Sequence, residues 1–436
     1  MNDTICAIAT PPGRGGVGIV RISGPAVADI ANALTARLPE PRRARLVTVK
    51  DATGEVLDEG LALYFPAPAS FTGEDVLELQ LHGAPVVLEQ VLAAAVAAGA
   101  RRAAPGEFSQ RAFVNGKLDL AQAEAIADLI DAATTQAARA ARRSLEGELS
   151  RKVEALAQEI TNLRIFVEAA LDFPDEEIDF LSDGDVGGRI AALIADTEAL
   201  ADQARAGQLL TEGLRVAIVG KPNAGKSSLF NALVRRDAAI VTEVPGTTRD
   251  VLRESLSLGG MPVLLADTAG LRETDDVVER EGVRRTHAEL EQADLVLWVV
   301  DATDAEPGPA PNVPVPCIRI NNKSDLPDAR RSDDDTIAVS ALTGLGLDAL
   351  DQSVARHCGL LEREASAFSA RARHVEQIAQ TLSFLQRAAE VLATGEPAEL
   401  IAEELHQAAD ALGEITGRLH SDDLLGLIFS SFCIGK

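Results

Sequence analysis

GKPNAGKSSLFNAL, residues Gly220 to Leu233, follows the apolar run LRVAIVG (Leu214 to Gly220) and decides how the middle of this chain folds. Gly220, Gly225, Lys226 and Ser227 fit G-x-x-x-x-G-K-[ST] between a buried strand and a helix. Glycine lets backbone N–H groups turn inward on phosphate oxygens, Lys226 reaches the terminal phosphates, and the Ser227 hydroxyl offers a hard oxygen to Mg2+. One such match arises by chance in a glycine turn, so the flanking sequence has to carry the reading.

Outward from the loop, further elements occur in the order a nucleotide site needs. DTAG (Asp267, Thr268, Ala269, Gly270) follows the apolar PVLLA, which places Asp267 at a strand end to hold Mg2+ through water and Gly270 to sense a γ-phosphate. Between the two lies TEVPGTTRD, with Thr242, Glu243, Val244, Pro245, Gly246, Thr247 and Thr248; Thr248 is the expected second magnesium oxygen. INNKSD supplies Asn322, Lys323 and Asp325, an N-K-x-D arrangement whose carboxylate matches the guanine N1 and N2 hydrogens. VSALTG adds Ser340 and Ala341. With Asn223, Ala224 and Ser228 of the first loop, these residues are expected to form one guanine-nucleotide site on a Ras-like, alternating α/β segment spanning 213–356. Leu271 stands where a Ras-like enzyme has its water-orienting glutamine, so that role falls elsewhere. Glu279 in VVEREGVRR is the candidate, its alternative being an exposed glutamate at a helix start.

The rest of the chain has a different texture. Residues 1–117 show short apolar runs broken by Gly and Pro, Ile5 to Ala9, Ile19 to Ile22, Leu46 to Val49, Leu61 to Phe65 and Val76 to Leu81, with a helix over Val86 to Ala98: a small α+β domain. Asp119 and Gln122 then form a capping-box pattern ahead of an alanine-rich helix. Apolar seams follow at Val153, Leu156, Ile160, Leu163 and Val167, and at Val186, Ile190, Leu193 and Leu200, where Thr197 interrupts. Two more lie beyond the α/β segment, at Val375, Ile378, Leu382 and Leu385, and at Leu400, Ile401, Leu405, Ala408 and Leu412. No single helical piece buries its stripe alone, so 118–212 and 357–436 are expected to pack as one discontinuous helical domain with the α/β segment inserted.

Composition sets limits. The chain has 41 basic and 67 acidic residues, a formal charge of −26, which argues against an extensive phosphate-binding surface. Clusters at Arg42, Arg43 and Arg45, and at Arg139, Arg142 and Arg143, read as solvated faces. The acidic DFPDEEIDFLSDGD reads as a solvated loop, with metal binding as its alternative, and AEPGPAPNVPVP as a Pro-rich surface connection with no assigned role. Cys6, Cys317, Cys358 and Cys433 have no metal-ligand spacing, and no stretch is apolar enough to span a bilayer, so a soluble protein of the reducing cytosol is expected. Cys433 lies in FCIGK (Phe432 to Lys436). Gly435 and Lys436 do not suit a lipidation box, which leaves a frayed end or a thiol delivered to a site. Leu424, Leu425, Ile428 and Phe432, in a helix starting at Ser421, favour an anchored tail.

TPPGRGGVGIVRISG, FTGEDVLEL, PGEFSQRAF, KLDLAQAEAIADLIDA, PNAGKSSL, PGTTRD, DTAGLRE and FCIGK together resemble the blocks of the tRNA modification GTPase family MnmE, also called TrmE, across the whole chain. The resemblance implies a tetrahydrofolate-binding, dimer-forming amino-terminal domain. It also implies a Mg2+- and K+-dependent GTPase acting with the FAD-dependent partner MnmG (GidA) in a heterotetramer. Their product would be a carboxymethylaminomethyl-type group at C5 of the wobble uridine (U34) of certain tRNAs, its one-carbon unit coming from 5-formyl- or methylene-tetrahydrofolate. By motif position Arg21, Glu78, Lys117 and Lys436 would contact the folate, and Asn223, Thr242, Val244 and Thr247 the K+ ion. Glu279 would orient the attacking water, and Cys433 would take a catalytic part. The competing class is a regulatory GTPase switch in ribosome assembly, which would carry an RNA-binding module; none is visible. A membrane-remodelling GTPase would need a lipid-binding segment, also absent from the sequence.

Overall fold

The computed structural model describes residues 3–172, 185–238, 255–266, 292–306, 308–329, 336–357, 367–418, 422–430, 432 and 435. The chain divides into two compact units, Met1–Ala127 with Gly413–Lys436, and Asp128–Leu412.

The first unit is built on a six-stranded sheet in the order β3-β4-β5-β2-β1-β6. Its elements run β1 (Ile5–Ile8), β2 (Gly15–Ser23), α1 (Val27–Thr35), β3 (Arg45–Lys50), β4 (Val56–Phe65), β5 (Val76–Gly83), α2 (Pro85–Ala97), β6 (Arg101–Arg102), α3 (Glu107–Val114) and α4 (Leu120–Asp131), the last crossing into the second unit. All pairings are antiparallel except β1 with β6. The five strands and the long helix expected from the sequence are present; α1, α3 and the two-residue β6 were not anticipated. Alternation along the strands sends Val20, Ile22, Val47, Val49, Leu77 and Leu79 to one face, where Ile30, Leu34, Leu88 and Val91 of α1 and α2 close the core. On the other face Ile5 and Ala7 pack with Ala103 and Phe108, and beside them Arg21 and Glu78 stand opposite one another.

At the start of α4 the capping box forms in both directions: Gln122 N–H donates to Asp119 Oδ1 at 2.8 Å and Asp119 N–H to Gln122 Oε1 at 3.0 Å. The carboxyl-terminal helix Asp422–Ser430 packs on this part of the unit, with Leu425, Ile428, Phe429 and Phe432 buried against Leu120, Ala123 and Phe113. Phe429 is the anchor that sequence reading passed over. Ser421 and the Leu424 side chain lie outside what the structure describes.

The second unit opens with α5 (Thr135–Leu145), α6 (Glu148–Asp172) and α7 (Val186–Glu212). All five seam residues of α6 are buried, and in α7 Val186, Ile190, Leu193 and Leu200 are too. Thr197 does not interrupt the seam of α7. It is fully buried because its hydroxyl donates to the Leu193 carbonyl at 2.6 Å, which leaves its methyl to pack. Gly213, with φ 84°, then turns the chain directly from α7 into a second sheet.

That sheet has the order β12-β11-β10-β7-β9-β8. It contains β7 (Leu214–Val219), α8 (Lys226–Ala238), β8 (Ser255–Leu258), β9 (Met261–Ala266), β10 (Leu295–Asp301), β11 (Cys317–Asn322), β12 (Thr336–Ala338) and α9 (Leu347–His357). Only β8 with β9 is antiparallel. Val216, Ile218, Leu297, Val299, Ile318 and Ile320 pack on one face against Leu229, Leu233, Leu350 and Val354, in a core that also takes in Ala140 and Leu210 of the helices. The Pro-rich connection has a packing role after all: Val313 and Val315 cover Ala217, Val219 and Val296 on the opposite face.

The chain returns to helices α10 (Ala372–Thr394) and α11 (Ala398–Thr416), and α10 packs along α7. Here the expected seams shift. In α10 the buried positions are His374, Ile378, Thr381, Leu385 and Ala388, while Val375 and Leu382 are half-buried; in α11 Leu400 is exposed. Thr381 occupies the seam for the same reason as Thr197, its hydroxyl donating to the Gln377 carbonyl at 2.8 Å.

Candidate functional site: a phosphate loop joined to a base-recognition loop

The loop Gly220 to Gly225 leaves the carboxyl end of β7 and enters α8 at Lys226, so the first N–H groups of that helix face outward from the sheet end. Two glycines are dictated by close approach. A Cβ on Gly220 would lie 2.1 Å from the Val299 carbonyl oxygen, and one on Gly225 would lie 2.1 Å from Nδ2 of Asn322. Asn223 adopts φ 64°, a left-handed conformation that asparagine tolerates better than most side chains, and is exposed. Lys226 Nζ donates to the carbonyls of Gly220 at 2.8 Å and Lys221 at 3.0 Å, curling over the loop. Ala224 is buried beneath it, while Ser227 and Ser228 are exposed on the first turn of α8.

Asn322, at the end of β11, ties three segments together. Its Nδ2 donates to the Ala224 carbonyl at 3.0 Å, and its Oδ1 accepts from the Ala341 N–H at 3.1 Å. The side chain is 1% exposed, so both ends of the amide are satisfied inside the protein. Ser340 is likewise buried and shapes its turn by accepting from Thr343 N–H at 3.1 Å. Asp325 is exposed at the rim, two residues past Lys323, which also has a left-handed φ of 64°. Thus the expected residues Asn223 to Ser228, Asn322, Lys323, Asp325, Ser340 and Ala341 converge on one end of the sheet. Thr242, Glu243, Val244, Pro245, Gly246, Thr247, Thr248, Asp267, Thr268, Ala269, Gly270 and Glu279 lie outside the described residues.

Sequence reading missed Asp301. It ends β10 directly opposite Asn322, and its Oδ2 accepts from Lys323 Nζ at 2.6 Å. Its Oδ1 accepts from Thr303 N–H at 3.0 Å and Thr303 Oγ1 at 2.7 Å. Burial works against the charge, but the Lys323 ammonium and the two Thr303 donors outweigh it and hold the carboxyl below the usual range.

A second site, centred on an ion pair, lies on the opposite face of the first sheet. Arg21 Nε donates to Glu78 Oε1 at 2.9 Å, and its guanidinium sits 5.6 Å from the Phe71 ring centroid and 5.7 Å from that of Phe108. Lys117 Nζ donates to the Pro68 carbonyl at 3.2 Å, so Arg21 and Lys117 touch the same loop, 66–75. The tail also arrives here: Arg21 Nη1 donates to the Gly435 carbonyl at 3.5 Å, and a Cβ on Gly435 would lie 2.3 Å from the Ile8 carbonyl. Cys433 and Lys436 are outside the described residues. Beneath the site Arg111, 1% exposed, donates to Glu107, Glu74 and Asp3. The Glu107 carboxyl is held below its ordinary value because Arg101, the Ala104 N–H and Arg111 together outweigh burial.

A mostly parallel sheet with a phosphate loop after β7, tied through Asn322 to a base-recognition loop, places the second unit in the P-loop GTPase class, with an α+β unit attached. A family model described as "GTP-binding protein TrmE N-terminus" matches residues 4–117, and one described as "MnmE helical domain" matches 120–433. The tRNA modification GTPase MnmE of Alkalilimnicola ehrlichii is 54% identical over 441 residues, covering 99% of both chains. That of Yersinia pseudotuberculosis is 52% identical over 451 residues, covering 100% of this chain and 99% of its own. The chain belongs to the MnmE family of tRNA modification GTPases.

Proposed function

We propose that the protein hydrolyses GTP and couples the cycle to modification of tRNA. The observation that carries the nucleotide half is the Asn322 amide, which ties the phosphate loop to the base loop and so brings together two motifs distant in sequence. Family membership over the whole chain carries the tRNA half.

In finer detail, we propose a potassium-activated GTPase in which Asn322, Lys323, Asp325, Ser340 and Ala341 hold guanine and residues 223–228 hold phosphates. Ser227, with Thr248, suits Mg2+, since its exposed hydroxyl at the start of α8 is a hard oxygen ligand. Asn223 suits K+ with Thr242, Val244 and Thr247, its exposed amide oxygen being a hard ligand on the turn of the phosphate loop. These cations, when bound, neutralise charge developing on the phosphates. Glu279 orients the attacking water. Arg21, Glu78, Lys117 and Lys436 form the site for a tetrahydrofolate derivative, a reading supported by the ion pair set against two phenylalanine rings. Cys433 acts near it. The working assembly is a cytoplasmic homodimer joined by MnmG, with residues 1–117 for folate and dimerisation, 213–356 for GTP, and 118–212 with 357–436 as the helical link. No helix among the described residues is long and apolar enough to cross a membrane.

Nucleoside analysis of tRNA from a strain lacking the gene tests the function: hypomodified wobble uridine, restored by wild type and not by Cys433→Ser, is expected. Normal uridines in the deletion strain would exclude the tRNA role. Hydrolysis of GTP in K+ and in Na+ tests the site. Wild type should be at least about tenfold faster in K+, and Glu279→Ala should bind GTP yet hydrolyse it in neither; equal rates in the two salts remove the potassium mechanism.

A further inference from the structure

The turn that follows β10 grips both nucleotide loops. At one end Asp301 Oδ2 accepts from Lys323 Nζ at 2.6 Å, with its other oxygen fixed by Thr303. At the other end Asp304 Oδ2 accepts from Lys221 Nζ at 3.1 Å, and Lys221 also donates to the Glu306 carbonyl. The turn is closed by Asp304 N–H donating to the Asp301 carbonyl at 2.9 Å and is pinned to β11 by Ala302 N–H donating to the Asn322 carbonyl at 2.8 Å. The Lys221 carbonyl, in turn, accepts from Lys226.

The two contacts differ in weight. Lys221 and Asp304 are 50% and 33% exposed in their side chains, so that pair is screened by solvent and contributes little. Lys323 and Asp301 are 35% and 22% exposed, and Asp301 is oriented by two donors before the lysine reaches it. Lys323 has its backbone in the left-handed region, which a non-glycine residue adopts at a cost. A lysine side chain also has many rotamers to lose, so a fixed partner is what holds it beside the loop, and Asp301 is the partner the β10–β11 register places there.

We propose that Asp301 is a positioning residue for guanine-nucleotide recognition, acting through Lys323 to hold the base-recognition loop in its binding geometry. This rests on the assignment of Asn322, Lys323 and Asp325 to the guanine site. Asp301 does not touch the nucleotide in this arrangement. Its effect is on affinity, and its loss leaves the hydrolytic groups in place.

The test is titration of the full-length protein with N-methylanthraniloyl-GDP. Asp301→Asn keeps an acceptor for Thr303 and loses the charge that holds Lys323, so its Kd should rise roughly tenfold. Lys323→Met should weaken binding at least as much. The double variant should bind no worse than Lys323→Met alone, since both remove one linkage. That non-additivity is a readout a generally destabilised sheet would not produce. Asp301→Asn binding within twofold of wild type, or losses that multiply in the double variant, overturn the proposal. If Asp301→Asn does not fold, Thr303→Val, which removes the orienting hydroxyl, should raise Kd about threefold, and an unchanged Kd overturns the proposal equally. Asp325→Asn keeps the guanine assignment separate: it exchanges an acceptor for a donor and should move preference towards xanthosine diphosphate. Without that switch the guanine site itself is wrong, whereas a switch with a neutral Asp301→Asn removes only the present inference.

Discussion

Gly225 has a φ of 92°, and the Asn322 amide lies where its Cβ would be. Gly225→Ala therefore strains the backbone by about 1–2 kcal/mol and displaces the bridging hydrogen bond, worth about 1 kcal/mol more. Nucleotide affinity should fall roughly fiftyfold or more, read by equilibrium titration, with the melting of the first unit unchanged. This residue was legible from its motif, because glycine spacing in a phosphate loop is a local constraint. Asp301 was not. It lies 22 positions before Lys323, and only the parallel register of β10 with β11 brings the two together. Arg111 was hidden for a related reason: a basic residue in PGEFSQRAF reads as surface until Glu74 and Asp3, distant in sequence, are seen to close around it.

Among the elements, the reciprocal cap on α4 gives a direct test of local energetics. Asp119→Ala removes the acceptor for Gln122 N–H and should destabilise the first unit by about 1 kcal/mol, seen as a lower urea midpoint and faster amide exchange in the first turn of α4. An unchanged midpoint would mean that packing alone holds the helix start. Long periodic helices were readable as existence and type, as the fully buried seam of α6 demonstrates. Their rotation was less so in α10. There His374 and Thr381 sit in the seam where Val375 and Leu382 were expected, because a side chain that satisfies its own polar atom, as Thr381 does, behaves as an apolar one. Helices α1 and α3, of nine and eight residues, were missed since each offers barely two turns of pattern. The switch segments belong to the same lesson in reverse: their motifs are plain in the sequence, and their residues lie outside the described structure.

On the scale of the molecule, the two units carry separate optical reporters, the single tyrosine Tyr64 in the first and the single tryptophan Trp298 in the second. Glu107 and Asp3, both held below their ordinary carboxyl values by arginines, make the first unit sensitive to acid. A depressed carboxyl contributes stability that is complete above its unfolded pKa, about 4, and is lost as pH falls through the lower folded value. Below about pH 4 the urea midpoint followed at Tyr64 should therefore drop, and Glu107→Gln, less stable at pH 7, should show a shallower pH dependence. Equal slopes for the two proteins would locate the acid sensitivity elsewhere.

The segment between α7 and α10 begins and ends at nearly one point, since Ala372 N–H donates to Glu212 Oε1 at 2.9 Å and the Phe368 carbonyl packs on Gly207. The helices on either side are separated by a long stretch of chain, so joining them while that stretch is unfolded closes a loop of about 160 residues, an entropic barrier on the order of 4–5 kcal/mol. Once the sheet has formed, its two ends are already neighbours and the loop shrinks to a few residues, lowering that barrier by roughly 3 kcal/mol. Loop entropy thereby favours an order of assembly in which the nucleotide-binding sheet condenses first and the helices on either side close over a gap it has already bridged.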